Sequence, residues 1–188
     1  SRASLVTLLG VWMLVCVILP KLSVNIGSSL YAAPSSYEFY QQIKKDEEAG
    51  IDGHNASDKR LDDLKAETLK KYGVDSVQKL PVNWNAIAMQ AGEQYTSMVY
   101  NKRFGDLQNT FEKQNKISEW TSFISPYMAI RALSMGLSGS DYRSALDFQQ
   151  KAEAYRFQLV QTMNETHEKT TKTGQWDYKH KADTWAKL

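Results

Sequence analysis

The stretch "SPYMAIRALSMGLSGSDYRSALDFQQKAEAYR" (Ser125–Arg156) contains two helix-like segments that a Gly/Ser-rich corner joins. Pro126 interrupts the helical pattern that precedes it, because proline cannot donate the backbone hydrogen bond of a helix interior. After the glycines, either Ser140 or Asp141 offers a side-chain oxygen that caps the next helix. The pattern therefore predicts a short helix over 127–137 and a second helix that starts at the corner.

The second helix has apolar residues at every third or fourth position, which is close to a heptad pattern. A longer periodic region covers residues 84–124, with expected breaks at Gly105 and around Asn115. We predict that these two helices pack antiparallel, with Arg131 near their junction. The predicted seam on the second helix consists of Ala145, Phe148, Ala152, Tyr155, Leu159 and Met163.

Shorter helical patterns lie upstream of this pair. An amphipathic piece covers residues 37–48, and a polar loop that contains glycine follows it. Ser57 or Asp58 can cap a helix that runs through Lys71, and Gly73 is its expected stop. Neither sustained alternation of apolar and polar residues nor an Asn-Gly hairpin occurs in the sequence. The predicted fold class is all-α.

The beginning of the chain, "ASLVTLLGVWMLVCVIL" (Ala3–Leu19), contains no charged residue, and Pro20-Lys21 ends the run. At about 1.5 Å per residue it spans roughly 25 Å, near the ~30 Å hydrocarbon thickness of a bilayer. A buried core helix is a poor alternative because the run has no strongly polar face. A cleaved signal peptide fits poorly because "SLYAAPSS" lacks a clear cleavage pattern. We predict a transmembrane helix over 1–24 and a second domain over 25–188.

Composition excludes several classes of protein. The chain has 188 residues and a net charge of +2, so it lacks the basic surface that binding to nucleic acid requires. The single cysteine, Cys16, rules out an intramolecular disulfide and a cysteine-based zinc site. His54, His167 and His180 do not have the spacing of a helical metal pair, and solvated surface is the expected role of each.

No enzymatic motif is present. The sequence contains no Walker A, GxSxG or GxGxxG pattern, and its adjacent carboxylates point about 100° apart on a helix. We therefore predict no catalytic residue, no metal ligand and no cofactor, and we expect that the chain is not an enzyme.

Three charged residues at the corner and beyond it invite a structural interpretation. Glu153 and Arg156 stand three residues apart on the second helix, which favours an ion pair. Arg131 has apolar neighbours in sequence, so we expect it to be buried and paired with Glu93 or Glu153. On this basis Arg131→Ala is expected to destabilise the fold more than Lys151→Ala.

The sequence resembles ABC-2-type permease subunits that carry a large extracytoplasmic insertion. The resemblance rests on "ILPKL", "SLYAAPSSYEF" and "YGVDSVQKLPVNWNAIAMQAGEQY", and above all on the corner with the following "LVQTMN". In the corner, Ser-Pro, Ser-Met, a Gly-Ser-Asp turn, Phe and Ala-Glu-x-Tyr-Arg follow in the order typical of that family, although threonine is commoner than Ser140. The structural or family-motif candidates are Pro126, Arg131, Gly139, Ser140, Asp141, Phe148, Glu153 and Arg156.

This resemblance implies a topology and partners. One membrane helix would lead into an extracytoplasmic bundle of long antiparallel helices in the bacterial cytoplasmic membrane, with the bulk of the chain on the periplasmic or extracellular side. Export would depend on a separate ATP-binding subunit and on a homodimer or heterodimer of permease subunits. The alternative is the periplasmic helical-bundle ligand-binding domain of a membrane-anchored sensory receptor, and a membrane-anchored adaptor is a third class.

Overall fold

The computed structural model describes residues 2–55 and 57–176, apart from the side chain of Ser122. No strand occurs in these residues, so the predicted all-α class is confirmed. Short 3-10 turns over Lys59–Leu61 and Val77–Lys79 precede α4 and α5. The helices are α1 (Arg2–Met13), a π-helical turn (Leu14–Ile18), α2 (Leu19–Leu30), α3 (Ser36–Glu48), α4 (Asp62–Tyr72), α5 (Trp84–Ser122), α6 (Pro126–Leu137) and α7 (Tyr142–Thr170).

The first three of these elements form one continuous helix from Arg2 to Leu30. The π-helical turn lies directly before Pro20, where the Leu19 N–H donates to the Leu14 carbonyl five residues back. This wider turn accommodates the proline ring, which would otherwise clash with the carbonyl four residues earlier. The helix therefore continues through Pro20, and its 29 residues extend over roughly 43 Å.

This helix is the one element in the described part of the chain that is long and apolar enough to cross a membrane. None of its most apolar 18-residue window is buried against the protein. Leu5 and Leu8 illustrate this exposure, since each keeps more than half of its surface accessible. A buried core helix, the alternative considered above, does not fit such exposure.

The chain divides into two compact units, and α5 and α7 contribute residues to both. The first unit holds the described residues of 1–36 and 104–149, and the second holds those of 37–103 and 150–188.

In the first unit, α2 packs closely on α5. A Cβ atom at Gly27 would lie 3.3 Å from the Gln114 carbonyl oxygen, and the Gln114 side chain donates to the Tyr31 carbonyl. Helix α6 packs against the π-helical turn over Leu14–Ile18. The Tyr142 hydroxyl at the start of α7 donates to the Gln108 carbonyl of α5 at 3.2 Å.

In the second unit, the core centres on Leu61, Leu80, Trp84 and Ala88. Helix α3 forms where it was predicted, and it buries Phe39 and Ile43. Helix α4 also forms as predicted and ends at Gly73, which has a φ of 64°. Of the two predicted capping residues, Asp58 caps the 3-10 turn Lys59–Leu61 that leads directly into α4, because its side chain accepts from the Arg60 N–H.

Within this unit α5 and α7 run antiparallel, as predicted. Gln94 contacts Gln161 at 3.3 Å, while Ser97 contacts Arg156 at 3.1 Å, so rising numbers on α5 meet falling numbers on α7. The α5 helix is unbroken at Gly105 and Asn115, and both expected breaks are wrong.

The predicted apolar seam on α7 is also wrong. Phe148 is 75% exposed and Tyr155 is 48% exposed, whereas Asn164 and His167 are buried. The face that meets α5 in the second unit carries polar and charged side chains, so the largest apolar residues of the helix do not mark its packed side.

Candidate functional site: the cleft beside helix α6

Ser125 and Pro126 together start helix α6. Ser125 adopts an extended backbone, and its Oγ accepts a hydrogen bond from the Met128 N–H at 3.4 Å. Pro126 occupies the first turn, where its missing N–H costs nothing because that group would have no partner within the helix. Pro126 therefore starts α6 as well as separating it from α5.

The same helix ends in a Schellman motif. The Ser140 N–H donates to the Met135 carbonyl at 3.0 Å, and the Gly139 N–H donates to the Gly136 carbonyl at 3.3 Å. Gly139 has a φ of 64°, a left-handed conformation that glycine adopts without steric cost. The corner thus requires glycine at position 139.

Asp141, not Ser140, caps α7. Its Oδ1 accepts from the Ser144 N–H at 3.3 Å, and hydrogen bonding to Ser144 holds the pKa of the Asp141 carboxyl below its usual value. The Ser140 hydroxyl instead pairs with that of Ser138 at 2.7 Å. The choice between the two capping residues is therefore resolved in favour of Asp141.

A cleft of about 360 Å³ lies in the first unit beside α6. Apolar side chains of α2 and α6 line one part of it, and the charged residues include three bases and three acids. Such a surface suits a molecule or a chain segment that is itself partly apolar and partly charged. The lining consists of Val24, Glu112, Asn115, Lys116, Ser118, Glu119, Met128, Arg131, Ala132, Met135, Asp141, Tyr142 and Arg143.

Arg131 is exposed at this cleft, which corrects the expectation of a buried residue. It makes no ion pair within residues 2–55 and 57–176, whereas its neighbour Arg143 contacts Glu119 at 3.2 Å. The expected partners, Glu93 and Glu153, bind Arg156 instead. The apolar neighbours of Arg131 in sequence face outward, so the reason to expect a large stability loss on Arg131→Ala no longer holds.

Arg156 lies at the centre of a charge cluster in the second unit. Its guanidinium makes two hydrogen bonds of 2.8 Å to Glu153, and it contacts Glu93 at 2.8 Å. The Ser97 hydroxyl accepts from Arg156 and donates to Glu93. These contacts raise the pKa of Arg156 and lower that of Glu153. The predicted ion pair is confirmed, and a third charged partner joins it.

A second cleft lies in the second unit, between the loop after α3 and helix α5, and exposed His54 contributes to its lining. There the two backbones meet at glycines: a Cβ atom at Gly92 would lie 2.5 Å from Gly53 Cα. In the described residues, no group of three His, Cys, Asp or Glu side chains could hold a metal ion.

One family model, described as "Domain of unknown function (DUF3526)", matches residues 36–188. The chain belongs to the DUF3526 family. The searches of curated proteins and of solved structures return no match. The matched DUF3526 region begins at Ser36, the first residue of α3, so the apolar helix precedes it.

The eight candidate residues all lie in the DUF3526 region, but they do not form one site. Arg131 and Asp141 line the cleft of the first unit, where Pro126, Gly139 and Ser140 shape the ends of α6. The exposed Phe148 does not line that cleft. Glu153 and Arg156 belong to the charge cluster of the second unit.

A polar network surrounds Asn83, in the "LPVNW" segment of the DUF3526 region, and it was not predicted from the sequence. Asn83 is fully buried, and its Nδ2 donates to the Thr171 hydroxyl at 2.8 Å and to the Gln175 carbonyl at 3.2 Å. Its Oδ1 accepts from the Asn85 N–H, which caps α5. The available signal was an asparagine directly before an apolar helical pattern.

His167 belongs to the same network, which contradicts its expected place on the solvated surface. It is 9% exposed, its Nε2 lies 3.2 Å from Asn83 Nδ2, and its ring packs edge-on against Trp176. His180, the third histidine, lies outside the described residues.

Proposed function

We propose that this DUF3526 chain is the first membrane helix and the extracytoplasmic domain of an ABC-2-type permease subunit. The observation that carries the proposal is the continuous helix Arg2–Leu30, whose most apolar window has no buried residue. Apolar surface on every side of a helix is unfavourable in water and favourable in lipid. The motif order at Ser125–Arg156 supports the assignment to permeases rather than to another class of membrane protein.

The proposed subunit does not hydrolyse ATP itself. The sequence has no phosphate-binding loop, which agrees with a partner that supplies the ATP-binding site. We place the bulk of the chain on the extracytoplasmic side of the bacterial cytoplasmic membrane. There the domain would gate substrate exit or dock a partner protein, and neither role requires a catalytic residue.

The cleft beside α6 gives this role a structural basis. Helix α6 contacts the proposed span at Leu14–Ile18 and also lines the cleft. A shift of the span during transport would therefore act directly on the cleft wall. In a permease this arrangement would couple movement of the span to the cleft of the first unit.

The test is purification of the tagged full-length protein from its own membranes in mild detergent, followed by an ATPase assay. Vanadate-sensitive ATP hydrolysis that elutes with the protein is the expected result, and a tagged single-span membrane protein from the same cells is the control. A homogeneous preparation without ATPase activity would contradict the proposal. If such a protein also has one further span followed by a cytoplasmic signalling segment, the sensory-receptor alternative is favoured.

A further inference from the structure

Helix α6 has two faces of different character. Met128, Arg131 and Met135 line the cleft of the first unit. At 100° per residue, the opposite face of the helix consists of Ile130, Leu133 and Leu137, and Tyr127 lies at the edge of this face towards Arg131. These four side chains are between 51% and 83% exposed. Arg131, the only charged residue of α6, does not lie on this face. The face is therefore apolar, and no part of the described chain covers it.

The position of α6 along the apolar N-terminal helix indicates what covers this face. Helix α6 packs against Leu14–Ile18, which lie within the uncharged run that ends at Leu19. With a rise of about 1.5 Å per residue, the contact lies within roughly 9 Å of the end of that run. If the run spans the bilayer, this contact is at the depth of the hydrocarbon and not in the aqueous phase.

The residues before α6 extend the same surface. Phe123 and Ile124 are exposed at the turn between α5 and α6, and Trp120 is exposed at the end of α5. Tryptophan and tyrosine are enriched at the boundary between lipid and water, where an apolar ring and a polar group are both satisfied. Trp120 and Tyr127 supply both types at the start of the apolar face.

We propose that α6 and the turn before it are embedded in the outer leaflet, with Ile130, Leu133 and Leu137 in contact with lipid acyl chains and Tyr127 at the boundary between lipid and water. This inference rests on the proposed function, since it requires that Arg2–Leu30 spans the membrane. We assign lipid as the occupant for two reasons. The face lies at the same depth in the bilayer as the lipid-facing surface of the span, and it carries no charge. The extracytoplasmic domain is then anchored by two elements and not by the span alone.

The test is the depth of spin labels in the full-length protein, reconstituted into phosphatidylcholine/phosphatidylglycerol nanodiscs. Labels are attached to single cysteines in a cysteine-free background that includes Cys16→Ser. Leu133→Cys reports on the α6 face, and Leu137→Cys is the second variant should the first fail to fold. Leu8→Cys reports on the span, and Asp75→Cys, whose native side chain is 95% exposed, is the aqueous control.

Collision with oxygen is compared with collision with a water-soluble nickel chelate. We expect the label at Leu133→Cys to show the same collision rates as the label at Leu8→Cys. Its collision rate with oxygen, relative to that with the nickel chelate, should be at least several-fold higher than at Asp75→Cys. Nickel accessibility at Leu133→Cys equal to that at Asp75→Cys would overturn the inference. Low collision with both reagents would also overturn it, since protein would then cover the face. Nickel accessibility at Leu8→Cys would contradict the proposed function itself, which separates the two failures.

Discussion

Arg156 of α7 contacts Glu93 of α5 at 2.8 Å while it also binds Glu153, one helical turn earlier on α7, through two hydrogen bonds. This contact joins two long helices through a planar guanidinium that satisfies two carboxylates and a hydroxyl together. Lysine cannot reproduce it, because an ammonium group lacks the fork of N–H donors.

Arg156→Lys should therefore lower the free energy of unfolding by about 1 kcal/mol, a value reduced for the partial exposure of the pair. Arg143→Lys is the matched control, because Arg143 makes a single exposed contact to Glu119, and its expected effect is below about 0.5 kcal/mol. Thermal unfolding of the two purified variants in detergent measures the difference. Equal melting temperatures would contradict the special role of Arg156.

The same cluster should make stability depend on pH. The pKa of Glu153 is lowered in the folded protein, chiefly by its hydrogen bonds to Arg156. A carboxyl with a depressed folded pKa stabilises the fold above its unfolded pKa of about 4.3, and this contribution is lost as the pH falls through the folded value. The wild-type protein should therefore be more stable than Glu153→Gln at pH 7, and the difference should shrink as the pH falls below about 4.3 and through the lowered folded pKa. Melting curves across that range test this, and a difference that stays constant with pH would exclude the assignment.

Asn83→Ala should destabilise the second unit strongly. The substitution removes the side-chain hydrogen bonds to Thr171 and Gln175, which follow α7, and the cap of α5, and it leaves buried polar partners unsatisfied. Losses of this kind amount to about 2–3 kcal/mol. Asn109→Ala, at an exposed position on α5, is the control with an expected effect below about 0.5 kcal/mol. Chemical unfolding of both variants decides the matter, and similar midpoints would be the contrary result.

Two glycines of α5 should respond in opposite directions to the same substitution. Gly92→Ala places a methyl group 2.5 Å from Gly53 Cα, so the loop after α3 must move, at a cost of about 1–3 kcal/mol. A Cβ atom at Gly105 meets nothing within 4 Å, and Gly105→Ala should stabilise the helix by about 0.5–1 kcal/mol. Melting temperatures that shift in the same direction would refute the close contact at Gly92.

Local patterns in the sequence predicted the helices well, because periodicity and capping residues act over a few neighbours. Helices α3, α4, α6 and α7 form close to their predicted positions, and Asp58 and Asp141 cap as side-chain chemistry suggests. The expected breaks in α5 were wrong because a glycine or an asparagine costs a helix only about 1 kcal/mol, which packing on other elements readily offsets.

The tertiary contacts were harder to predict. The apolar pattern with Phe148 and Tyr155 predicts a seam on α7, but in the second unit α7 meets α5 through Arg156 and Gln161. Its His167 contacts Asn83, directly before α5. A packing face made of polar side chains leaves no apolar periodicity in the sequence, so periodicity cannot predict it. Arg131 was misassigned for a related reason, since the apolar neighbours that suggested burial form the exposed face of α6.

We propose above all that Arg2–Leu30 crosses the membrane and leaves the rest of the described chain outside the cell's cytoplasm. The most direct test labels Asp75→Cys in a cysteine-free, full-length background with a membrane-impermeant maleimide in intact cells. The outer membrane, where present, is made permeable first, and a cysteine in a cytoplasmic protein serves as the control. We expect full labelling of Asp75→Cys while the cytoplasmic control stays unlabelled. If Asp75→Cys is labelled only after the cytoplasmic membrane is disrupted, the proposed topology is wrong.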